Sequence, residues 1–308
     1  MENTTEIVCQ VMGVPIRINM YFHVPILVLG ILIGILVITF NGIFLTAMSK
    51  HSSSTSVSEV LYIMLAVSDL LSGIIYIPTW CCHWILALTS IPTCIPIILT
   101  SILGYTLAIF SVFTILFITI NIYLSVIHPF LYEVWVTKKR VFTLNLFVWI
   151  IFLVMVVGST STSLSMWIRC KNVITYLLVI IIIVMVTMHI RLNNEINRIC
   201  SRVAQTSTAQ QTQDIGMKKK ATKMGVKIML AFLMCFVPIS SILLYNKMNP
   251  TVIVSNYLQH VGIVLLFLNA LLDPFIYYFR LGRIRSKVQV LFNNSQTKET
   301  HGGQTFNH

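Results

Sequence analysis

Two carboxylic acids stand inside otherwise apolar runs of this sequence. Asp69 lies in Leu65-Ala66-Val67-Ser68-Asp69-Leu70-Leu71, and Asp273 lies in Asn269-Ala270-Leu271-Leu272-Asp273-Pro274-Phe275-Ile276-Tyr277. Asn41 and Ser111 are further polar groups in such runs. A charged or amide side chain among hydrocarbon is expensive, so each asks for a reason. Two acids in one apolar interior cannot both stay ionised cheaply. They can bind a small cation, share a proton, or remain neutral. The plainer alternative is hydrogen bonding between helices that holds a bundle together. Taken as a group, these residues read as a polar, hydrated cluster within a core. Catalysis finds no comparable footing. There is no H-E-x-x-H, no G-x-S-x-G and no clustered His/Asp set, and His23, His51, His83, His128, His189 and His260 are scattered. The expectation is a protein that is not an enzyme, with no metal centre and no cofactor beyond a structural sodium ion at the acids.

The elements that carry these groups follow from length and hydropathy. Hydrophobic residues make up 56% of the 308-residue chain and charged residues 10%. Soluble domains carry about a quarter charged residues, so lipid must be part of the solvent here. A bilayer-crossing helix needs about 20 apolar residues. Seven such runs can be drawn, at 21–48, 57–84, 95–127, 141–163, 173–192, 222–246 and 252–279. Pro92 and Pro96 supply the break between the second and third. Pro238 and Pro274 each remove a backbone hydrogen bond inside a run, and a kink is expected at both. The fold class expected is all-α, a seven-transmembrane-helix bundle. The first run is too long for a cleavable signal, and Glu2 and Glu6 precede it, so it is expected to act as its own insertion signal.

Basic residues set the orientation. With the amino terminus outside, the inner segments hold Lys50, then Lys138 to Arg140. Next come the basic residues from Arg191 to Lys227, and finally Arg280, Arg283, Arg285, Lys287 and Lys298. The outer segments keep only Arg17, Arg169, Lys171 and Lys247. The net charge of +12 therefore reads as membrane topology, not nucleic-acid binding. Asn3-Thr4-Thr5 is a glycosylation sequon on the outer side. Cys9, Cys81, Cys82, Cys94 and Cys170 fall in or near outer segments. Five is odd, so at least one is unpaired or pairs between chains. The stretch from Gln205 to Gln213, within the inner loop Asn193 to Lys220, is rich in Thr, Gln and Ala and is expected to be mobile.

These motifs, in this order, resemble the rhodopsin-class G-protein-coupled receptors over about residues 25–285. Asn41 sits where the first-span asparagine belongs. Leu65-Ala66-Val67-Ser68-Asp69 looks like the second-span motif, Trp149 like the fourth-span tryptophan and Pro238 like the sixth-span proline. Asp273-Pro274-Phe275-Ile276-Tyr277 is similar to the seventh-span Asn/Asp-Pro-x-x-Tyr motif, and Ile127 to Tyr132 to the second inner loop. The resemblance implies that Asp69, Ser111, Asn269 and Asp273 line a sodium or water pocket. It implies a bridge between Cys94 and Cys170, with Cys81 or Cys82 as substitutes for Cys94. It also implies a short amphipathic helix over Phe279 to Phe292, with an apolar side and a basic side that meets lipid headgroups. The domains expected are an extracellular segment 1–20, a seven-span receptor domain 21–280, and a cytoplasmic amphipathic helix with a disordered tail, 281–308.

The departures bear on signalling. The third span of the family ends in Asp/Glu-Arg-Tyr, and here it reads Asn121-Ile122-Tyr123. The sixth-span partner region is basic around Lys218 to Lys220, so neither half of an ionic latch exists. Phe236 replaces the sixth-span tryptophan, Gly104 and Tyr105 replace an amine-binding aspartate, and the fifth span has no proline. Met188 to Arg191, the missing proline and the short amino-terminal segment look somewhat like adenosine or melanocortin receptors. The function expected is a plasma-membrane receptor passing a signal from an extracellular ligand to a heterotrimeric G protein. Tyr105, Ser240, Tyr257, Gln259 and His260 are its ligand-pocket candidates, and Asn121, Ile122, Tyr123, Phe236, Pro238, Pro274 and Tyr277 its activation motifs. The alternative is a seven-span receptor that does not couple, with a scavenging or regulatory role. A transporter ranks lower because no internal symmetry and no paired charges along a path are found.

Overall fold

A computed structural model describes residues 20–49, 56–89, 94–206, 209–248 and 256–280, with 285, 286 and 289. Of Cys94, Tyr257, Gln259 and Tyr277 it describes the backbone alone. Helix α1 is Met20–Ser49. Helix α2 is Val57–Leu71, and it runs through one widened π-type turn, Ser72–Tyr76, into α3, Ile77–Leu88. Helix α4 is Cys94–Ile127, α5 is Pro129–Trp135 and α6 is Lys138–Thr162. Helix α7 is Leu164–Thr206, α8 is Ala209–Met248 and α9 is Asn256–Arg280.

These assemble into seven long rods, α2 and α3 forming one and the short α5 lying between α4 and α6, and no strand occurs among the described residues. Six rods are long and apolar enough to cross a membrane. The seventh, α9, carries a shorter apolar stretch, His260–Ile276. The end where α1 begins is here the amino end of the bundle, and the end where α9 finishes is the carboxyl end.

The reason for this architecture is visible in α6. Its exposed side is apolar, with Phe147, Ile150, Val154 and Val157 open, while its buried side holds Asn145 and Trp149. A helix greasy on its outside needs hydrocarbon as solvent. Asn145 Nδ2 donates to Thr114 Oγ1 at 3.1 Å in α4 and to Met64 Sδ at 3.2 Å in α2, which ties three rods together. Trp149 stacks on Phe110, with ring centroids 4.4 Å apart and planes 5° apart.

Helix α4 runs through the middle and packs on α2, α3, α6, α7 and α8. Two apolar clusters result. One is built mainly from α2, α4, α7 and α8 with the end of α1 and Val156 of α6, and the other from α1, α3 and α9 with Met64, Leu107, Phe110 and Trp149. In the second, α1 approaches α3 so closely that a Cβ on Gly30 would sit 2.8 Å from Trp80 Cζ3.

Local signals set the boundaries. Ser56 Oγ accepts the Glu59 amide at 3.3 Å and Glu59 Oε2 accepts the Ser56 amide at 2.9 Å, a capping box that starts α2. Pro129 opens α5, and Thr137 caps α6 through the Arg140 amide. Arg140 then folds back, donating from Nη1 to the Val134 carbonyl at 3.1 Å and lying over the Trp135 ring.

Helix α7 differs from expectation. Hydropathy places the fifth apolar run at 173–192, with Cys170 in an outer loop and a mobile inner loop beyond. The helix instead spans 43 residues. No proline or glycine stands between Gly158 and Gly216, so nothing in that stretch stops a helix once lipid has nucleated it. Cys170 is consequently a helical residue. Its thiol is free, 4.0 Å from the Met155 carbonyl of α6. The bridge expected between Cys94 and Cys170 is not shown, and the side chain of Cys94 lies outside the described residues.

Of the expected amphipathic helix, Arg285, Ser286 and Gln289 are helical, and its other positions past Arg280 lie outside the described residues. Asn3 and the segments 1–19 and 290–308 lie outside them too.

Candidate functional site

The two acids that the sequence places far apart meet in the middle of the bundle. Asp69 on α2 and Asp273 on α9 are buried, and their carboxyl groups interact directly. Ser111 of α4 adds its hydroxyl to Asp69, and Ser111 Oγ lies 3.2 Å from Ser68 Oγ. Asn269 stands one turn before Asp273 on α9. Asn41 of α1 donates from Nδ2 to the Val37 carbonyl and to the Ala270 carbonyl, each at 3.0 Å. Four rods therefore converge on one polar joint, which brings Asp69, Ser111 and Asp273 together, with Asn269 buried one turn from Asp273.

The chemistry of the joint is one-sided. Asn41 Oδ1, Asp69 Oδ2, Asn269 Oδ1 and both oxygens of Asp273 are buried with no hydrogen-bond donor upon them. A set of acceptors without donors suits a hard cation, ordered water or a shared proton. Among the described residues no three His, Cys, Asp or Glu side chains are grouped to hold a metal ion. The donor set is therefore carboxylate, amide and hydroxyl oxygen, which fits an alkali cation and not a transition metal.

Around the joint, Phe236 stacks on Phe232 one turn away, with centroids 4.3 Å apart. Pro238 and Pro274 sit inside continuous helices.

The carboxyl end is closed by apolar contact. Ile122 is buried and faces Gly225 of α8 so tightly that a Cβ there would meet Ile122 Cδ1 at 2.7 Å. The same Cβ would lie 3.4 Å from His189 Cε1 of α7. Tyr62 of α2 reaches Met224 Sδ with its hydroxyl at 3.7 Å. The sixth-span partner of Ile122 is thus Gly225, not the basic stretch Lys218 to Lys220 that the sequence pointed to. The register differs because α8 begins well before its apolar part. Asn121 turns the other way and donates to Ser58 Oγ of α2 at 2.9 Å, while Tyr123 lies against His128.

The amino end divides the ligand-pocket candidates into two groups. Tyr105 meets Trp167 of α7 edge-on at 5.7 Å, Lys171 lies over the Trp167 ring, and the Thr175 hydroxyl interacts with Tyr105. Gly104 is small for a reason, since a Cβ there would meet the Tyr76 hydroxyl at 2.9 Å. His260 belongs elsewhere, packed on Trp84. Ser240 is half-buried on α8, and Tyr257 and Gln259 are helical positions of α9. Sequence reasoning missed Trp84, His23, His83, Trp167, His189 and Gly225. The recurrence of histidine near the ends of three apolar runs was the one available signal for the first three.

Fold and joint together define the class: a multi-pass helical membrane protein whose interior polar groups link separate rods. The family described as 7 transmembrane receptor (rhodopsin family) matches residues 40–277. That stretch runs from beside Asn41 to Tyr277, well over half of the chain, and the chain belongs to this family. No curated protein matches it.

Proposed function

We propose that this chain is a plasma-membrane receptor that carries an extracellular ligand signal to a heterotrimeric G protein. The amino end of the bundle faces outside, as the distribution of Lys and Arg requires, and the carboxyl end faces the cytoplasm. The observation that carries the reading is the joint of Asp69, Ser111, Asn269, Asp273 and Asn41. It sits midway between a cluster of aromatic and basic groups at one end and an apolar seal at the other. A ligand that binds one packing of the rods better than another shifts the population between them. Such a shift passes through the joint because α1, α2, α4 and α9 all contribute to it. A sodium ion or a shared proton at the two acids biases the same equilibrium.

The G protein meets the carboxyl end, flanked by α5 with its exposed Phe130 and Trp135 and by Lys138 to Arg140. Ile122 in place of arginine supports a second reading, a receptor of this family that does not couple. A second-messenger assay on surface-expressed receptor with a ligand panel separates the two. In that assay Asp69→Asn shifts agonist affinity or basal output by about tenfold. Unchanged values at normal surface expression count against the joint as a two-state element. Tags at both chain ends, read in unpermeabilised cells, check the orientation: the amino-terminal tag stains and the carboxyl-terminal tag does not.

A further inference from the structure

Lys171 is a cation turned inward at the amino end. Trp167, Lys171 and Thr175 recur every fourth residue along α7, so they form one stripe of that helix, and the stripe faces Tyr105 of α4. Trp167 is 4% exposed, whereas Val173, on the opposite side of α7, is 58% exposed. Lys171 Nζ lies over the Trp167 ring, 5.4 Å from its centroid. Thr175 Oγ1 donates to the Lys171 carbonyl at 2.9 Å, which leaves its lone pairs to the Tyr105 hydroxyl. Tyr76, at the end of the widened turn before α3, is near enough to Tyr105 to interact with it electrostatically. Three rods therefore bring an ammonium and two phenol hydroxyls to one place, all of them able to donate a hydrogen bond. The group takes no part in the polar joint or the apolar seal.

A cation drawn away from water asks for a counter-charge. The sequence places almost none at this end. Of the nine acids, Glu59, Asp69, Glu133, Glu195, Asp214, Asp273 and Glu299 lie at the joint or toward the carboxyl end. Glu2 and Glu6, ahead of α1, are the other two, and they lie outside the described residues. The Trp167 ring attracts the ammonium through its face. A ring carries no net charge, however, so the full positive charge of Lys171 remains to be met. The joint in the middle of the bundle is the reverse case, acceptors without donors. Donors without an acid suit an anion as the joint suits a cation. The plainer reading is a lysine whose stem reaches along the bundle toward outer water. Such a lysine has no reason to distinguish a carboxylate from its amide.

We infer that Lys171, Trp167 and Tyr105 form a binding site for an aromatic carboxylate at the outer end of the receptor. The inference rests on the receptor reading above, and it names the ligand class that reading left open. Lys171 takes the carboxylate, with the Tyr105 hydroxyl as a second donor, and the Trp167 and Tyr105 rings take the aromatic body. Binding is non-covalent, so no bond breaks and no proton moves. An ion pair formed away from bulk water is screened less than one at the surface. Rigid aromatic walls add contact area at little cost in side-chain freedom. A cationic amine is disfavoured here, because Lys171 repels it. The same two rods, α4 and α7, carry Ile122 and His189 to Gly225 at the apolar seal. A ligand held between α4 and α7 at one end favours one spacing of those rods, and the seal at the other end depends on that spacing.

Thermal unfolding of the full-length protein in lipid nanodiscs tests this without reference to signalling. The probes are phenylacetate and indoleacetate, each beside its uncharged primary amide. The acids are expected to raise the unfolding midpoint by about 2 °C or more near saturation, and the amides by much less. Lys171→Gln should weaken binding of the acids by about thirtyfold and leave the amides unaffected, while Lys171→Arg should retain the preference for the acid. Arg169→Gln, at an exposed position of the same helix, should change neither, which separates the site from the general attraction of a basic protein. Equal shifts from acid and amide, no shift from either acid, or acid binding that survives Lys171→Gln overturns the site. Where Lys171→Gln fails to fold, the comparison of acid with amide on the wild type decides. A double variant with Glu2→Gln and Glu6→Gln that unfolds as early as Lys171→Gln would make the amino-terminal segment the partner of Lys171, and that too overturns the site. Acid binding in nanodiscs without any second-messenger response in cells supports the site and removes coupling instead.

Discussion

The two ends of the bundle are built on opposite principles. The amino end buries imidazoles, indoles and a phenol that meet one another through ring faces and edges, from α1, α3 and α9 on one side and from α4 and α7 on the other. The carboxyl end has Ile122, Met224 and Gly225 closed over one another, with Tyr62 reaching a sulfur. One end presents polarisable, partly polar rings. The other responds to shape, since two apolar surfaces either fit or do not. On the proposed receptor function, this division would give chemical detection to one end and a steric latch to the other. The oxygen-rich joint stands between them.

The largest effect expected is at the amino end. Trp84→Ala removes the ring on which three histidines pack and should lower stability by about 3–5 kcal/mol, read as thermal unfolding in nanodiscs. Trp84→Phe should keep most of it. If alanine and phenylalanine are equally mild, the aromatic junction is not what holds that end.

Next comes the latch. Gly225→Leu must push α4 and α8 apart and should cost about 1–3 kcal/mol. The contact is with Ile122 Cδ1, so Gly225→Ala should be relieved by Ile122→Val, which deletes that atom. A double-mutant cycle with no coupling between the two positions would remove the latch from the comparison.

Asn145→Ala tests whether the middle is tied independently of either end. Loss of its bonds to Thr114 and Met64 should cost about 1 kcal/mol and leave the ligand response unchanged. The smallest effect is expected from Ser56→Ala, which removes one half of the capping box at the carboxyl end, at about 0.5–1 kcal/mol. An effect on basal output as large as that of Gly225→Leu would mean that this end is governed by helix capping more than by the apolar fit.

Much of this was legible in the sequence, and for a local reason. The runs at 21–48, 95–127 and 141–163 became Met20–Ser49, Cys94–Ile127 and Lys138–Thr162 within three residues at each end. Asp69, Ser111, Asn269 and Asp273 were identifiable because a polar group in an apolar run is anomalous wherever it points. The register of Ile122 was not legible. The sequence shows that arginine is missing but not which residue of α8 stands opposite, because that depends on the depth and rotation of two rods. Cys170 was misplaced for a related reason: a polar stretch with no helix breaker looks like a loop in hydropathy and continues as helix in three dimensions.

The sequence by itself determined the number of membrane crossings, their approximate ends and the asymmetry of basic charge, because lipid imposes length and polarity on each segment separately. Only the tertiary structure decided that His23 meets Trp84 and His260 from 60 and more residues away, that Asp69 faces Asp273, and that Gly225 receives Ile122. Those meetings depend on how the rods pack side by side. Helices that are apolar nearly all round carry little in their own pattern to say which face turns inward.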